Sequence, residues 1–142
     1  MRKFFLLTSA IIVFYSSNAI ADDLIKNDIN QINPGGKNLI ISFTEVRRDE
    51  KVSTAKVVFV SGASVPSSMF IMRGFYDIAR ARGASHFIKL NQWEAKDGST
   101  MYLVGFTNSD NVNAMKYFNL SKPINEKFMA VSIFHELFKD SK

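Results

Sequence analysis

The sequence contains no cysteine and only two histidines among its 142 residues. Without a thiol, the protein forms no disulfide and offers no thiolate zinc site, iron–sulfur cluster or cysteine nucleophile. Two histidines are also fewer than the three protein ligands of a usual catalytic zinc site. His135-Glu136 begins an H-E-x-x-H pattern, but Lys139 occupies the place of the second histidine. We therefore expect no metal and no other cofactor.

Other motifs of catalysis and nucleotide binding are missing as well. The chain has no G-x-G-x-x-G and no G-x-S-x-G, and Gly35-Gly36-Lys37 lacks the upstream glycine of a phosphate-binding loop. Glu45, Asp49 and Glu50 lie among basic residues that favour their ionisation, which predicts a solvated charged turn rather than an acid–base pair. A Ser–His–Asp triad stays open as an alternative, because triads are defined by geometry and not by sequence order.

The N-terminus has the pattern of a secretory leader. Two basic residues precede a mostly apolar stretch at residues 4–15, and Ala19 and Ala21 occupy the A-x-A positions. The apolar stretch is shorter than the roughly 20 residues of a comfortable bilayer span, and an uncleaved anchor is the alternative. We expect residues 1–21 to be a signal peptide cut after Ala21, which predicts a periplasmic or extracellular protein.

Removal of this leader lowers the net charge of the chain. The full sequence carries a formal charge of +5, and the leader contains two basic residues and no acidic one, so +3 remains. That balance is too weak to predict nucleic-acid binding, and we expect none. No second apolar run of about 18 residues follows, so no transmembrane segment is expected after leader removal.

The rest of the chain divides into an arm and one domain. Residues 22–38 are polar and end in the turn signal Pro34-Gly35-Gly36, which predicts a flexible N-terminal arm. Residues 39–142 have the length of a single domain. Runs of β-branched and aromatic residues predict four strands in this domain, at residues 39–47, 55–61, 86–93 and 101–107.

Helical periodicity adds two helices to these strands. The main helix runs from Ser67 or Ser68 to the stop signal Gly83, since its apolar residues recur every three or four positions. Residues 126–138 favour a helix, with a buried final strand as the alternative, and residues 114–120 could form a fifth strand. The prediction is an α+β fold, with a mostly antiparallel sheet of four or five strands packed on one main helix, plus a C-terminal helix.

Small residues recur every seven positions along the main helix, at Ser67, Gly74 and Ala81. Gly74 costs about 1 kcal/mol relative to alanine in a helix interior, which indicates that another group approaches the helix closely there. The protein's own sheet and the backbone of a partner are the two alternatives.

The last two predicted strands flank Asp97-Gly98, a strong hairpin signal. With a two-residue turn, Trp93 would lie directly opposite Tyr102. Basic and aromatic side chains on the helix and this hairpin are the candidate binding residues: Arg73, Tyr76, Arg80, Trp93 and Tyr102. Such a set could bind an envelope protein, an anionic glycan or lipid head groups, and core packing of the hairpin aromatics is the alternative.

Residues 76–88 combine a helix end, a glycine and an aromatic strand, and a hairpin ending at residues 102–106 follows. This arrangement resembles small uncharacterised cell-envelope proteins of Gram-negative bacteria, often lipoproteins, with a ββαββ-like core. The resemblance implies a fold and a compartment but no activity and no catalytic residue. Because the chain lacks cysteine, the lipid attachment of those lipoproteins is not expected here.

These features together predict a non-enzymatic exported binding or interaction module, whose ligand the sequence does not identify. One alternative is a small secreted hydrolase whose site is not visible in the sequence. Another is a secreted inhibitor or immunity protein that presents the Asp97-Gly98 hairpin to its target.

Overall fold

The computed structural model describes residues 24–31, 39–61 and 65–139. The predicted leader, its cleavage position and the Pro34-Gly35-Gly36 turn lie outside these residues. The described elements, in chain order, are β1 (Lys26–Gln31), β2 (Leu39–Arg48), β3 (Val52–Ser61), α1 (Val65–Arg82), β4 (His86–Glu94), β5 (Thr100–Thr107), α2 (Ala114–Tyr117), β6 (Met129–Ala130) and α3 (Val131–Phe138).

The six described strands form one antiparallel sheet in the order β1-β2-β3-β5-β4-β6. The predicted α+β class, antiparallel sheet and C-terminal helix are confirmed, but the count of four or five strands was too low. Part of the region predicted as a flexible arm forms β1, which pairs with β2 from Lys26 opposite Thr44 to Gln31 opposite Leu39. An edge strand needs main-chain partners on one side only, so a polar sequence such as β1 can form it without apolar alternation.

The region 114–120 was predicted as a strand, and this prediction was wrong. The side chain of Asn113 accepts a hydrogen bond from the Lys116 N–H at 3.2 Å, which caps the short helix α2 at its start. Asn119 follows this helix with a positive φ of 53°. In the region 126–138, both alternatives occur in sequence, because the two residues of β6 lead directly into α3.

Helix α1 packs on one face of the sheet, and Phe75 lies at the centre of this contact. Its ring makes edge-to-face contacts with Phe43, Phe87 and Tyr102, at centroid distances of 5.8, 6.1 and 5.4 Å. A Cβ at Gly74 would stand only 2.6 Å from the Phe43 ring. The protein's own sheet therefore explains the glycine in the helix interior.

Helix α1 ends where the sequence predicts and begins slightly earlier. Gly83 has a positive φ of 67°, and the next residue, Ala84, donates its N–H to the carbonyl of Ala79 at 2.9 Å. This left-handed glycine is a common helix stop. The helix begins at Val65 rather than at Ser67 or Ser68.

The second face of the sheet is covered in part by the chain between β5 and β6. The Phe118 ring fills the space above Gly105, where an added Cβ would meet it at 2.5 Å. Phe118 also contacts Phe128, and Lys51 donates to the carbonyl of Tyr117 at 3.3 Å. Among the described residues, no helix has both the length and the apolar character needed to cross a bilayer.

Candidate functional site

The five candidate binding residues do not form one surface. Tyr102 is only 8% exposed and packs against Phe75 in the core, and burial raises the pKa of Tyr102. Trp93 is 40% exposed and lies opposite Met101, not opposite Tyr102. Because side chains alternate along a strand, Trp93 and Tyr102 point to opposite faces of the sheet.

The length of the hairpin loop explains this difference. Glu94 pairs with Thr100, and the Ala95 N–H donates to the Ser99 carbonyl at 2.8 Å, so the loop is longer than the predicted two residues. The Asp97 carboxylate accepts the Ser99 N–H at 3.0 Å inside this loop. The register therefore shifts by one residue, and a one-residue shift moves a side chain to the other face.

The remaining three candidates gather where α1 meets α3. The Tyr76 hydroxyl lies 2.9 Å from Nδ1 of His135 and 3.5 Å from the guanidinium of Arg80, which donates to it. The Arg73 guanidinium lies over the ring of Phe138 at 5.3 Å. Since Tyr76 is only 3% exposed, these contacts hold α3 against α1 and leave little of the tyrosine for a ligand.

The acidic turn predicted as solvated is solvated only in part, because Glu45 is 1% exposed. A bulge between Glu45 and Arg47 brings Arg48 to the same side, where it donates to both carboxylate oxygens at 2.8 and 2.7 Å. The Ser53 hydroxyl and the Ile25 N–H donate to the same carboxylate. Burial opposes ionisation, but these hydrogen bonds outweigh it and hold the pKa of Glu45 below its usual value.

Arg82, the last residue of α1, connects this helix to the residues around Glu45. Its guanidinium donates to the carbonyls of Asp49 and Val52 at 2.7 and 2.6 Å, and to the hydroxyl of Ser53. Every buried side-chain polar atom in the described part of the chain has a hydrogen-bond partner. The Glu45 cluster is thus internally satisfied and holds the fold together, with no polar group left to receive a ligand.

One serine–histidine contact bears on the hydrolase alternative. The Ser85 hydroxyl lies 2.8 Å from Nδ1 of its neighbour His86. Within the described ranges, no carboxylate lies within hydrogen-bond distance of His86, and no group of three or more His, Asp or Glu residues could hold a metal. A catalytic serine needs a histidine that is itself oriented by a third group, and the described residues supply none.

A groove lies between the second face of the sheet and the chain that follows α2. It encloses about 440 Å³, within the usual range for ligand-binding clefts. We call it the β4 groove, and its lining residues are Leu90, Asn91, Leu103, Leu120, Ser121, Lys122, Pro123 and Ile124. Five of these residues are apolar and three carry polar side chains, and polar atoms form more than half of the surface that the groove exposes.

The outer edge of β4 adjoins this groove. Strand β6 pairs only with His86 and Phe87, so among the described residues no strand lies beside the rest of β4. A bulge at Leu90 interrupts the pairing with β5. Beyond it, the Gln92 N–H donates to the side chain of Asn91 at 2.8 Å, and three residues later the Ala95 N–H donates inward to the Ser99 carbonyl, so the alternation directs Gln92 outward. The main chain of Gln92 therefore points away from the sheet.

Neither the groove nor the edge was predicted from the sequence. The residues that line the groove come from three separate stretches of the chain, 90–91, 103 and 120–124, and α2 with its following turn brings the last stretch to the other two. Leu120 and Ile124 flank the polar and proline segment Ser121-Lys122-Pro123, which has no apolar periodicity. No family model, curated protein or solved structure matches this chain.

Proposed function

We propose that this chain is an exported, non-enzymatic binding module and that the β4 groove is where it binds. The groove carries this proposal, because apolar and polar side chains meet there around an open space of about 440 Å³. The export pattern at residues 1–21 supports a location in the periplasm or the medium.

A protein of the cell envelope suits this groove better than an anionic glycan or a lipid head group. Arginine and lysine side chains form the strong charge-assisted hydrogen bonds to anions, and the lining of the groove contains a single one of them, Lys122. The arginines that suggested an anionic ligand, Arg73 and Arg80, lie instead on α1 near α3. Aliphatic walls with an adjoining main-chain edge favour a polypeptide.

The groove is tested by placing the same charge inside and outside it. Ile124→Glu introduces a carboxylate into the groove wall, and Ile133→Glu introduces one on α3, where the native side chain is 66% exposed. We expect an envelope-extract protein that the wild type retains to be retained by Ile133→Glu and lost by Ile124→Glu, with both variants folded by circular dichroism. Equal retention by all three proteins would contradict the groove as the site, and no retention at any salt concentration would contradict the binding function.

Export is tested separately on the protein made in a Gram-negative cell. We expect the protein in the periplasmic fraction or the medium to begin at Asp22 when its N-terminus is sequenced, because cleavage follows Ala21. Full-length protein that stays in the cytosolic fraction would contradict the proposed compartment and leave the groove proposal to be judged by its own test.

A further inference from the structure

We propose that the β4 groove takes an extended peptide segment, which binds by adding as a strand to the outer edge of β4. This inference rests on the proposed function, and it names the class of partner and the way in which that partner is held. The edge in question is the part of β4 beyond its pairing with β6, and chiefly its last five residues, 90–94.

The main-chain groups of this edge determine the chemistry that can satisfy them. In an antiparallel sheet, every second residue of an edge strand directs both its N–H and its C=O outward. The Gln92 N–H is not used by β5, and the Ala95 N–H faces inward to Ser99. The alternation therefore directs the main chains of Gln92 and Glu94 outward, and an extended backbone presents the matching donors and acceptors at the same spacing.

The outer edge of β4 already pairs with another strand of the same chain. Met129 and Ala130 of β6 lie beside Phe87 and His86 in antiparallel register. The chain before β6 forms no ladder with β4, although it stays near this strand, where Glu126 lies 3.6 Å from the Lys89 ammonium. A peptide strand at residues 90–94 would extend the same row of hydrogen bonds that β6 begins.

The groove gives such a strand a place for its side chains. Leu90 and Asn91 belong both to this edge and to the groove lining, so side chains on one face of an added strand would lie next to the groove. Trp93 stands exposed on the same face of the sheet, one residue beyond Gln92. Backbone pairing would provide affinity, and the aliphatic pocket would select an apolar side chain.

Few features of this edge would hinder its pairing with an added strand. The Asn91 side chain occupies the outward N–H of Gln92, and both residues are exposed. A single exposed amide can be exchanged for a peptide carbonyl at little cost, because one hydrogen bond replaces another. No proline lies in β4 to prevent pairing.

The probe is a displayed library of random linear dodecapeptides, followed by synthetic copies of the enriched peptides. Two variants change the same position. Gln92→Pro removes the outward N–H, and Gln92→Ala keeps it while shortening the side chain. The Gln92 N–H makes no bond to β5, so the proline removes no hydrogen bond of the ladder. We expect Gln92→Pro to bind the synthetic peptides about tenfold or more weakly than the wild type. We expect the affinity of Gln92→Ala to stay within about threefold of the wild type.

A second measurement does not depend on any variant of the protein folding correctly. Each residue of a bound peptide is N-methylated in turn, and we expect affinity to be lost at every second position, because alternate amides of an added strand face β4.

Three results would overturn the inference: a loss of affinity without this alternation, peptide binding that Gln92→Pro leaves unchanged, or a library from which no peptide is enriched. Retention of phosphatidylglycerol vesicles in place of peptides would also overturn it, in favour of a membrane surface. If Ile124→Glu abolishes partner binding and Gln92→Pro does not, the groove stands and only strand addition fails.

Discussion

At the scale of single residues, Glu45 shows most clearly how position changes the role of a side chain. In the sequence it stands beside basic residues in an apparent surface turn. In the structure, it follows Ile41 and Phe43 on the buried face, and a bulge at Val46 brings Arg48 to the same side. The Glu45 carboxylate also accepts a hydrogen bond from the Ser53 hydroxyl. The expectation that this carboxyl is ionised agrees with its lowered pKa. Its partner Arg48 could not be predicted, because the bulge that brings Arg48 to the same face leaves no signal in the alternation.

We expect Glu45→Gln to destabilise the protein by about 3 kcal/mol at pH 7, because it leaves Arg48 without its buried counter-charge. The folded-state pKa of Glu45 is lowered, so its contribution to stability is present above the ordinary value of 4.5 and is lost as pH falls through the folded value. Urea unfolding at pH 7 and pH 3 should show a smaller loss of stability on acidification for the variant than for the wild type. An equal loss in both proteins would contradict this role.

At the scale of elements, apolar periodicity located the long pieces of regular structure and missed the polar ones. Helix α1 and the two strands of the hairpin were predicted with nearly correct ends. Strand β1 was missed because an edge strand needs no apolar alternation, and β1 is instead held by pairing with β2 and by the Asn27 side chain, which donates to Asp77 on α1 at 2.8 Å. The register of the hairpin was wrong by one residue because the Asp97-Gly98 signal does not determine the loop length.

Gly74→Ala is expected to destabilise the protein, although helix propensity alone predicts a gain of about 1 kcal/mol. The added methyl group would overlap the ring of Phe43, which is completely buried and cannot move aside without disturbing the core. We expect a net loss of about 1–3 kcal/mol in urea unfolding. A variant as stable as the wild type or more so would mean that α1 packs less closely on β2 than the structure shows.

At the scale of the whole molecule, the two faces of the sheet have different roles. One face is filled by α1 and α3 around Phe75, and the residues predicted to bind a ligand mostly serve that packing. The other face is only partly covered, and the incomplete cover produces the β4 groove. The core could be anticipated from periodicity, whereas the groove depends on how residues 114–128 cross the sheet, and no local pattern encodes that path.

The most direct measurement is an NMR titration of the isotope-labelled mature chain with the partner that it retains from envelope extract. The account predicts that the largest amide shifts fall at residues 90–94 and 120–124, while the amides of Arg73 and Arg80 on α1 change little. Shifts concentrated at the Asp97-Gly98 hairpin tip or on the surface of α1 and α3, with the β4 groove unchanged, would contradict it.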